Sequence, residues 1–307
     1  MENKIAIIDL GTNTFHLLVA DLGEQGHRII HQDRVAVKIG MGGINDGRIT
    51  DEGASRALHA LQNFKVTLAK YGVNTIIAFG TSALRSAKNG LEIIQKIKIE
   101  TGIKVRIISG EEEATYIYKG VRSALKLGLQ KSLIVDIGGG SVEFIICNEK
   151  VHFWKQSYEI GAQRLLERFQ KHDPILPEEM EALNDFFKFS LGPLSNAIAD
   201  HQPHTLIGSS GTFDTLSDIY CIRNNIQQQD TPETPFTINA FYEIFEEFKS
   251  KNRAERLQIP GMIELRVDMI VVACCLVNFI LANFSFHQVR VSAYSLKEGV
   301  LASLSKV

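Results

Sequence analysis

A chain of 307 residues exceeds the size at which a single hydrophobic core stops growing, so two domains are expected. Hydrophobic residues make up 45% and charged residues 22%, which excludes a disordered or fibrous chain. The net charge of −2 leaves no broad cationic field for nucleic acid or a membrane surface, so an anionic substrate must be met by local positive charge or backbone N–H groups.

In chain order, "KIAIIDLGTNTFHLLVAD" reads as strand, glycine turn, strand, and "GHRIIHQDRVAVKI" adds a third strand. "TDEGASRALHALQNFKVTLAKYG" carries apolar residues at helical spacing and ends on Gly72, a C-cap signal. "VNTIIAFGT" reads as a buried strand, with helix following to about Thr101. "KVRIIS" is the next strand, and the glutamates after it open a helix to about Lys126. The pattern then restarts: "KSLIVDIGGGSVEFIICN" is again strand, glycine turn, strand, and "KVHFWKQSYEI" a third. Helices are expected over about 159–200, broken near "HDPILPEE". "HTLIGSSGTFDTL" reads as strand, loop, helix, with further helices to about Phe284, a last strand in "HQVRVSAYS" and a last helix in "LKEGVLASLSKV". Strands alternating with helices predict an α/β fold with mixed sheets.

The opening "MENKIAIIDL" lacks a signal peptide's basic region and cleavage site. The apolar run "MIVVACCLVNFILANF" is short for a bilayer span and carries Asn278 and Asn283, so it reads as a buried helix. Cys147, Cys221, Cys274 and Cys275 show no CxxC pairing and no metal spacing; the adjacent Cys274 and Cys275 read as packed thiols, and the compartment as reducing and cytoplasmic.

A shift of 127 residues places Asp9 on Asp136, Gly11 on Gly138 and Thr14 on Ser141. Two halves thus open with the same hairpin, turning on Asp-x-Gly-x-x-Ser/Thr. Glycines there let backbone N–H groups approach an anion, and the hydroxyl adds a donor. A carboxylate beside a phosphate repels it unless a divalent cation or a water sits between; Mg²⁺ sites are usually built from one or two carboxylates plus phosphate and water. Gly208, Ser209, Ser210, Gly211 and Thr212 form a third cradle between a strand and a helix. Thr81, Ser82 and Arg85 follow a buried strand. The Arg85 fork suits phosphate, although alone it also fits a solvated surface residue.

In "ISGEEEA", Ser109 and Glu112 fit a capping box, Ser-x-x-Glu, and Glu111 suits a solvated first turn. Glu113 has no such structural role. It turns to a different helix face, at the C-terminal end of a strand, where it could orient and deprotonate an attacking water.

"AIIDLGTNTFHLLVA", "GTSALR", "ISGEEEA", "IVDIGGGSVEF", "GSSGT" and "SLKEGVL" occur in order along nearly the whole chain. Together they resemble the exopolyphosphatase / guanosine pentaphosphate phosphohydrolase (Ppx/GppA phosphatase) family. The resemblance implies two actin-like (ribonuclease H-like) domains, assigned as 1–124 and 125–307, with the helix at about 296–307 packing back on the first. It implies hydrolysis of a terminal phosphoanhydride assisted by Mg²⁺ or Mn²⁺, with Glu113 as the catalytic carboxylate and Arg85 on phosphate. Asp9, Asp136 and Glu143 would be metal ligands. Phosphate would be bound by Gly11, Asn13, Thr14, Thr81, Ser82, Gly138, Gly139, Gly140, Ser141, Ser209, Ser210, Gly211 and Thr212. These loops are expected to face one cleft between the domains, with a hinge near 123–130. The substrate is inorganic polyphosphate or guanosine pentaphosphate, with no nucleic-acid or membrane partner, and a homodimer is left open.

Three departures qualify the match. The chain ends soon after "KEGVL", so the helical HD-type domain of longer members is not expected. The family's frequent "SDGALREG" appears as "SAYSLKEG", and "KIGMGG" lacks the acid often found before its glycine. Two other functions stay open: an acceptor-directed phosphotransferase of the same superfamily, and a non-catalytic sensor of polyphosphate or an alarmone.

Overall fold

The computed structural model describes residues 4–23, 26–227 and 231–304. The chain divides into two compact units, Met1–Gly120 with Leu296–Val307, and Val121–Ser295.

The first unit is built on five strands: β1 (Lys4–Leu10), β2 (Thr14–Gly23), β3 (Gly26–Ala36), β4 (Thr75–Gly80) and β5 (Val105–Ile107). Their order is β3-β2-β1-β4-β5; β1 pairs antiparallel with β2 and parallel with β4. The central β1 buries Ile5 through Ile8 on both faces, which accounts for its unbroken apolar run. Helix α1 (Asp51–Tyr71) starts where Thr50 Oγ1 accepts from the Gly53 N–H and stops at Gly72, whose φ of 67° is left-handed. Helices α2 (Ser82–Ser86), α3 (Gly90–Thr101) and α4 (Gly110–Ala124) follow, and Phe15, Leu17, Leu61 and Phe64 anchor the core.

The second unit repeats the plan. Its strands are β6 (Ser132–Ile137), β7 (Val142–Cys147), β8 (His152–Tyr158), β9 (Thr205–Ser209), β10 (Glu233–Thr234) and β11 (Gln288–Ser292), in the order β10-β11-β9-β6-β7-β8. Without the two-residue β10, this is the first sheet's order, with antiparallel strands on one side of β6 and parallel strands on the other. The repeat extends to register: Asp9 pairs with His16 in one hairpin, and Asp136 with Glu143 in the other. Two mixed sheets of one topology, each with flanking helices, give the α/β fold with mixed sheets that the sequence predicts.

Around this sheet run α5 (Ala162–Phe169), α6 (Pro177–Ser190), α7 (Gly192–His201), α8 (Gly211–Arg223), α9 (Ile238–Ser250), α10 (Arg253–Leu257), α11 (Glu264–Val267) and α12 (Ile270–Asn283). The helical stretch expected over 159–200 is therefore three helices. β10 is too short to leave a periodic signal. Helix α12 is apolar because the second core surrounds it, and among the described residues no helix is long and apolar enough to cross a membrane. All four cysteines are buried thiols outside any disulfide, and burial pushes Cys147 and Cys275 up to about 12.

The chain leaves the first unit inside α4, between Gly120 and Val121, and returns at α13 (Leu296–Leu304), which packs on β1. A Cβ on Gly299 would lie 1.7 Å from the Tyr116 carbonyl oxygen, so α13 and α4 touch backbone to backbone there.

Candidate active site

The β1–β2 turn of the first unit closes through the Gly11 N–H to the Thr14 carbonyl, at 3.2 Å. A Cβ on Gly11 would sit 2.7 Å from that oxygen, so only glycine fits. The loop after β3 grips the turn from outside: the Gly40 N–H donates to the Thr12 carbonyl at 3.1 Å, and the Val37 and Lys38 N–H groups donate to the Asn13 carbonyl at 3.0 and 2.8 Å. The two groups of a trans peptide point in opposite directions, so the N–H groups of Asn13 and Thr14 face away from that loop. Thr12, Asn13 and Thr14 are buried, and the hydroxyls of Thr12 and Thr14 have no partner among the described residues. Buried polar groups are seldom left so; both hydroxyls suit a ligand oxygen. Asp9, at the mouth of this turn, pairs in register with His16 and Phe79 and has no second carboxylate beside it in the sheet.

Thr81 ties the next loop to this turn, since its N–H and hydroxyl both donate to the Leu10 carbonyl at 3.4 Å. Thr81 and Ser82 are buried at the start of α2. One turn on, Arg85 Nη1 donates to Glu113 Oε2 at 2.7 Å and to the Ile108 carbonyl at 3.2 Å. The residue expected on phosphate and the expected catalytic carboxylate are thus an ion pair. Both are largely enclosed, with side-chain exposures of 18% and 10%.

The neighbouring glutamates behave differently. Ser109 Oγ accepts from the Glu112 N–H at 3.1 Å, which is the first half of the expected capping box. The second half is replaced: the Glu112 carboxylate turns to Arg106, which donates to it twice, at 2.9 and 2.7 Å. Those hydrogen bonds hold Glu112 below the usual carboxylate range. Glu111 is exposed.

In the second unit the β6–β7 turn closes in the same way, Gly138 N–H to Ser141 carbonyl at 3.0 Å. Here the first turn of α5 does the gripping. The N–H groups of Gly161, Ala162 and Gln163 donate to the carbonyls of Gly140, Gly138 and Gly139 at 3.1, 2.9 and 2.8 Å, and Arg164 Nε reaches Gly140 as well. With all three carbonyls turned to α5, the N–H groups of Gly139, Gly140 and Ser141 point the other way, forming a nest for an anion.

A polar row runs across this otherwise apolar sheet. Ser292, Ser209, Asp136, Glu143 and Ser157 are successive register partners on β11, β9, β6, β7 and β8. Ser209 Oγ donates to Asp136 at 2.5 Å and Ser157 Oγ to Glu143 at 2.6 Å. Asp136 is 5% exposed and Glu143 1%. Adjacent buried carboxylates repel each other, a cost that a bound cation would remove. Among the described residues no three of His, Cys, Asp and Glu are grouped to hold a metal. Two carboxylates with hydroxyls around them nevertheless suit Mg²⁺, which keeps waters and takes phosphate oxygens as its remaining ligands. At the position equivalent to Glu143 the first unit has His16, so a carboxylate pair exists in the second unit's hairpin and not in the first's.

Ser210, with φ of 69°, starts α8, and its hydroxyl reaches both oxygens of Asp136 at 2.8 and 2.9 Å. A side chain held in the left-handed region is a strained feature, kept here at a turn onto the carboxylate. Thr212 is buried in the first turn. Sequence reasoning missed Arg266 of α11: its guanidinium lies over Gly211, where a Cβ would come within 1.9–2.2 Å of it. That places a cation at the N-terminus of α8, beside the Ser209–Thr212 cradle. A four-residue helix gives no periodic signal for it. Ser295, whose hydroxyl also donates to Asp136 Oδ2, was missed because it lies in the loop after β11, placed only by the finished sheet.

The chain matches the model of the Ppx/GppA phosphatase family over residues 18–306. It is 24% identical to exopolyphosphatase 1 of Mycobacterium tuberculosis over 97% of this chain and 87% of that protein. The crystal structure of an exopolyphosphatase from Cytophaga hutchinsonii superposes with a TM-score of 0.95, at 42% identity over 99% of both chains. The Aquifex aeolicus member of the Ppx/GppA family superposes with a TM-score of 0.77, at 26% identity over 98% of this chain and 96% of that one.

Proposed function

Because the chain belongs to the Ppx/GppA phosphatase family, we propose that it hydrolyses the terminal phosphoanhydride of inorganic polyphosphate and releases orthophosphate. The observation that carries this reading is the Arg85–Glu113 pair. Before substrate arrives, Arg85 holds the carboxylate in place. A terminal phosphate, with its greater negative charge, then draws the guanidinium toward its own oxygens, and Glu113 is left to accept a proton from water. The water oxygen bonds to phosphorus, the bridging P–O bond breaks, and the shortened chain leaves with the electron pair. The hydroxyls of Thr12 and Thr14, in the same unit as Arg85 and Glu113, hold non-bridging oxygens. Catalysis of this kind depends on positioning and on charge stabilisation.

Asp136 and Glu143 would hold Mg²⁺. When bound, the ion supplies positive charge against the phosphate oxygens. Asp9, expected as a further ligand, is better suited to a water-mediated role, since it has no carboxylate neighbour in its sheet row. The names of the related exopolyphosphatases favour polyphosphate over guanosine pentaphosphate. The four buried thiols suit a reducing compartment and support a cytoplasmic location.

Orthophosphate release from purified protein tests the reading, with long polyphosphate, short polyphosphate and guanosine pentaphosphate supplied separately. Glu113→Gln should lower kcat by about 10²–10⁴-fold, the usual contribution of a positioned base, while polyphosphate binding persists. Arg85→Ala should mainly raise KM. Near wild-type release by Glu113→Gln would remove Glu113 from the chemistry, and a preference for guanosine pentaphosphate would overturn the substrate assignment.

A further inference from the structure

Two of the hydroxyls that donate to Asp136, those of Ser210 and Ser295, lie outside its sheet row. Ser295 lies three residues beyond β11, and its hydroxyl donates to Asp136 Oδ2. Ser209 and Ser210 donate to the same oxygen at 2.5 and 2.9 Å, and Ser210 also reaches Oδ1 at 2.8 Å. The loop bearing Ser295 is fixed locally. Ser292 Oγ accepts from the Tyr294 N–H at 3.2 Å and donates to the Tyr294 carbonyl at 2.7 Å, while the Ala293 N–H donates to the Pro232 carbonyl at 2.8 Å. Within "SAYSLKEG", Ser295 stands where the family's frequent "SDGALREG" has alanine, so the third hydroxyl is an addition to that pattern.

A carboxylate oxygen has two lone pairs, and Oδ2 already faces three hydroxyl donors. A cation bonding to this oxygen must displace at least one of them. Ser209 is fixed within β9 and fully buried, and Ser210 can keep its bond to Oδ1. Ser295 lies outside the sheet, so its displacement from Oδ2 leaves the sheet row intact. We propose that Ser295 is a positioning residue that competes with the divalent cation for Asp136 Oδ2. It weakens metal binding in the absence of substrate, so that the ion is taken up together with the phosphates that complete its shell. The proposal rests on the assignment of Asp136 and Glu143 to the metal.

Direct titration of Mn²⁺ without substrate, followed by electron paramagnetic resonance, separates the two. Ser295→Ala should bind Mn²⁺ about fivefold more tightly than wild type or better, the factor expected when a competing hydrogen bond to a carboxylate is removed. Ser295→Thr keeps the hydroxyl and should restore wild-type affinity, while Asp136→Asn should lose binding. If Ser295→Ala matches wild type or binds more weakly while Asp136→Asn loses the ion, the competition is refuted and the metal site stands. A Ser295→Thr protein that behaves like Ser295→Ala refutes it as well. If Asp136→Asn binds as tightly as wild type, the metal assignment falls and the role of Ser295 falls with it.

Discussion

Three consecutive glutamates have three different environments. Glu111 is exposed, Glu112 is clamped twice by Arg106, and Glu113 is enclosed against Arg85. Glu112→Gln should therefore leave turnover within about twofold of wild type, as surface changes away from the chemistry usually do. Its effect should appear in acid stability. The carboxyl of Glu112 titrates lower in the folded protein than unfolded, chiefly through the Arg106 hydrogen bonds, so its contribution is present above 4.5 and is lost as pH falls through the folded value. Urea unfolding at pH 3 and pH 6 should show less acid sensitivity in Glu112→Gln than in wild type; equal sensitivity would mean that the Arg106 clamp contributes nothing. The residue-level reading of the sequence could separate these carboxylates because helix geometry fixes which face each one takes. It could not pair Glu113 with Arg85, which is 28 residues away and meets it only through folding.

The turns are held by elements that carry no side-chain signature. A Cβ on Gly161 would lie 2.4–2.5 Å from backbone atoms of Gly139 and Gly140, so α5 approaches the β6–β7 turn as closely as backbone allows. Gly161→Ala must push the two apart. It should cost about 1–3 kcal/mol, as overpacking does, and raise KM for polyphosphate more than it lowers kcat, because the displaced N–H groups bind rather than react. Urea unfolding and steady-state kinetics check both; unchanged KM would show that the nest does not touch substrate. The hairpins themselves were legible, since acid, glycine and hydroxyl recur at one shift and the strand register follows them. The gripping elements were not, because an N–H group donating to a carbonyl leaves no trace in residue identity. Arg266 and Ser295 were hidden for a related reason, lying in a four-residue helix and a loop whose positions depend on the finished sheet.

Two domains were legible from length and from the repeated hairpin. The sequence reading set their boundary at 124/125; the units part between Gly120 and Val121, inside a continuous helix, where no glycine- or proline-rich linker marks the position. The first unit is assembled from both ends of the sequence, with α13 against β1 and Gly299 against Tyr116, while the second is a single unbroken stretch. Synthesis runs in one direction, so the two cannot mature together. As the chain emerges from the ribosome, Val121–Ser295 precedes Leu296, so β1 waits for α13 until the whole second unit has been made. Pulse hydrogen exchange on ribosome-bound chains stalled after Ser295 should find β6 and β9 protected and β1 still exchanging; protection of β1 at that length would show that the first sheet closes without α13. A strand whose packing is completed by a helix beyond the second unit must stay soluble while that unit is made, and the interval is set by the length of the unit placed in between.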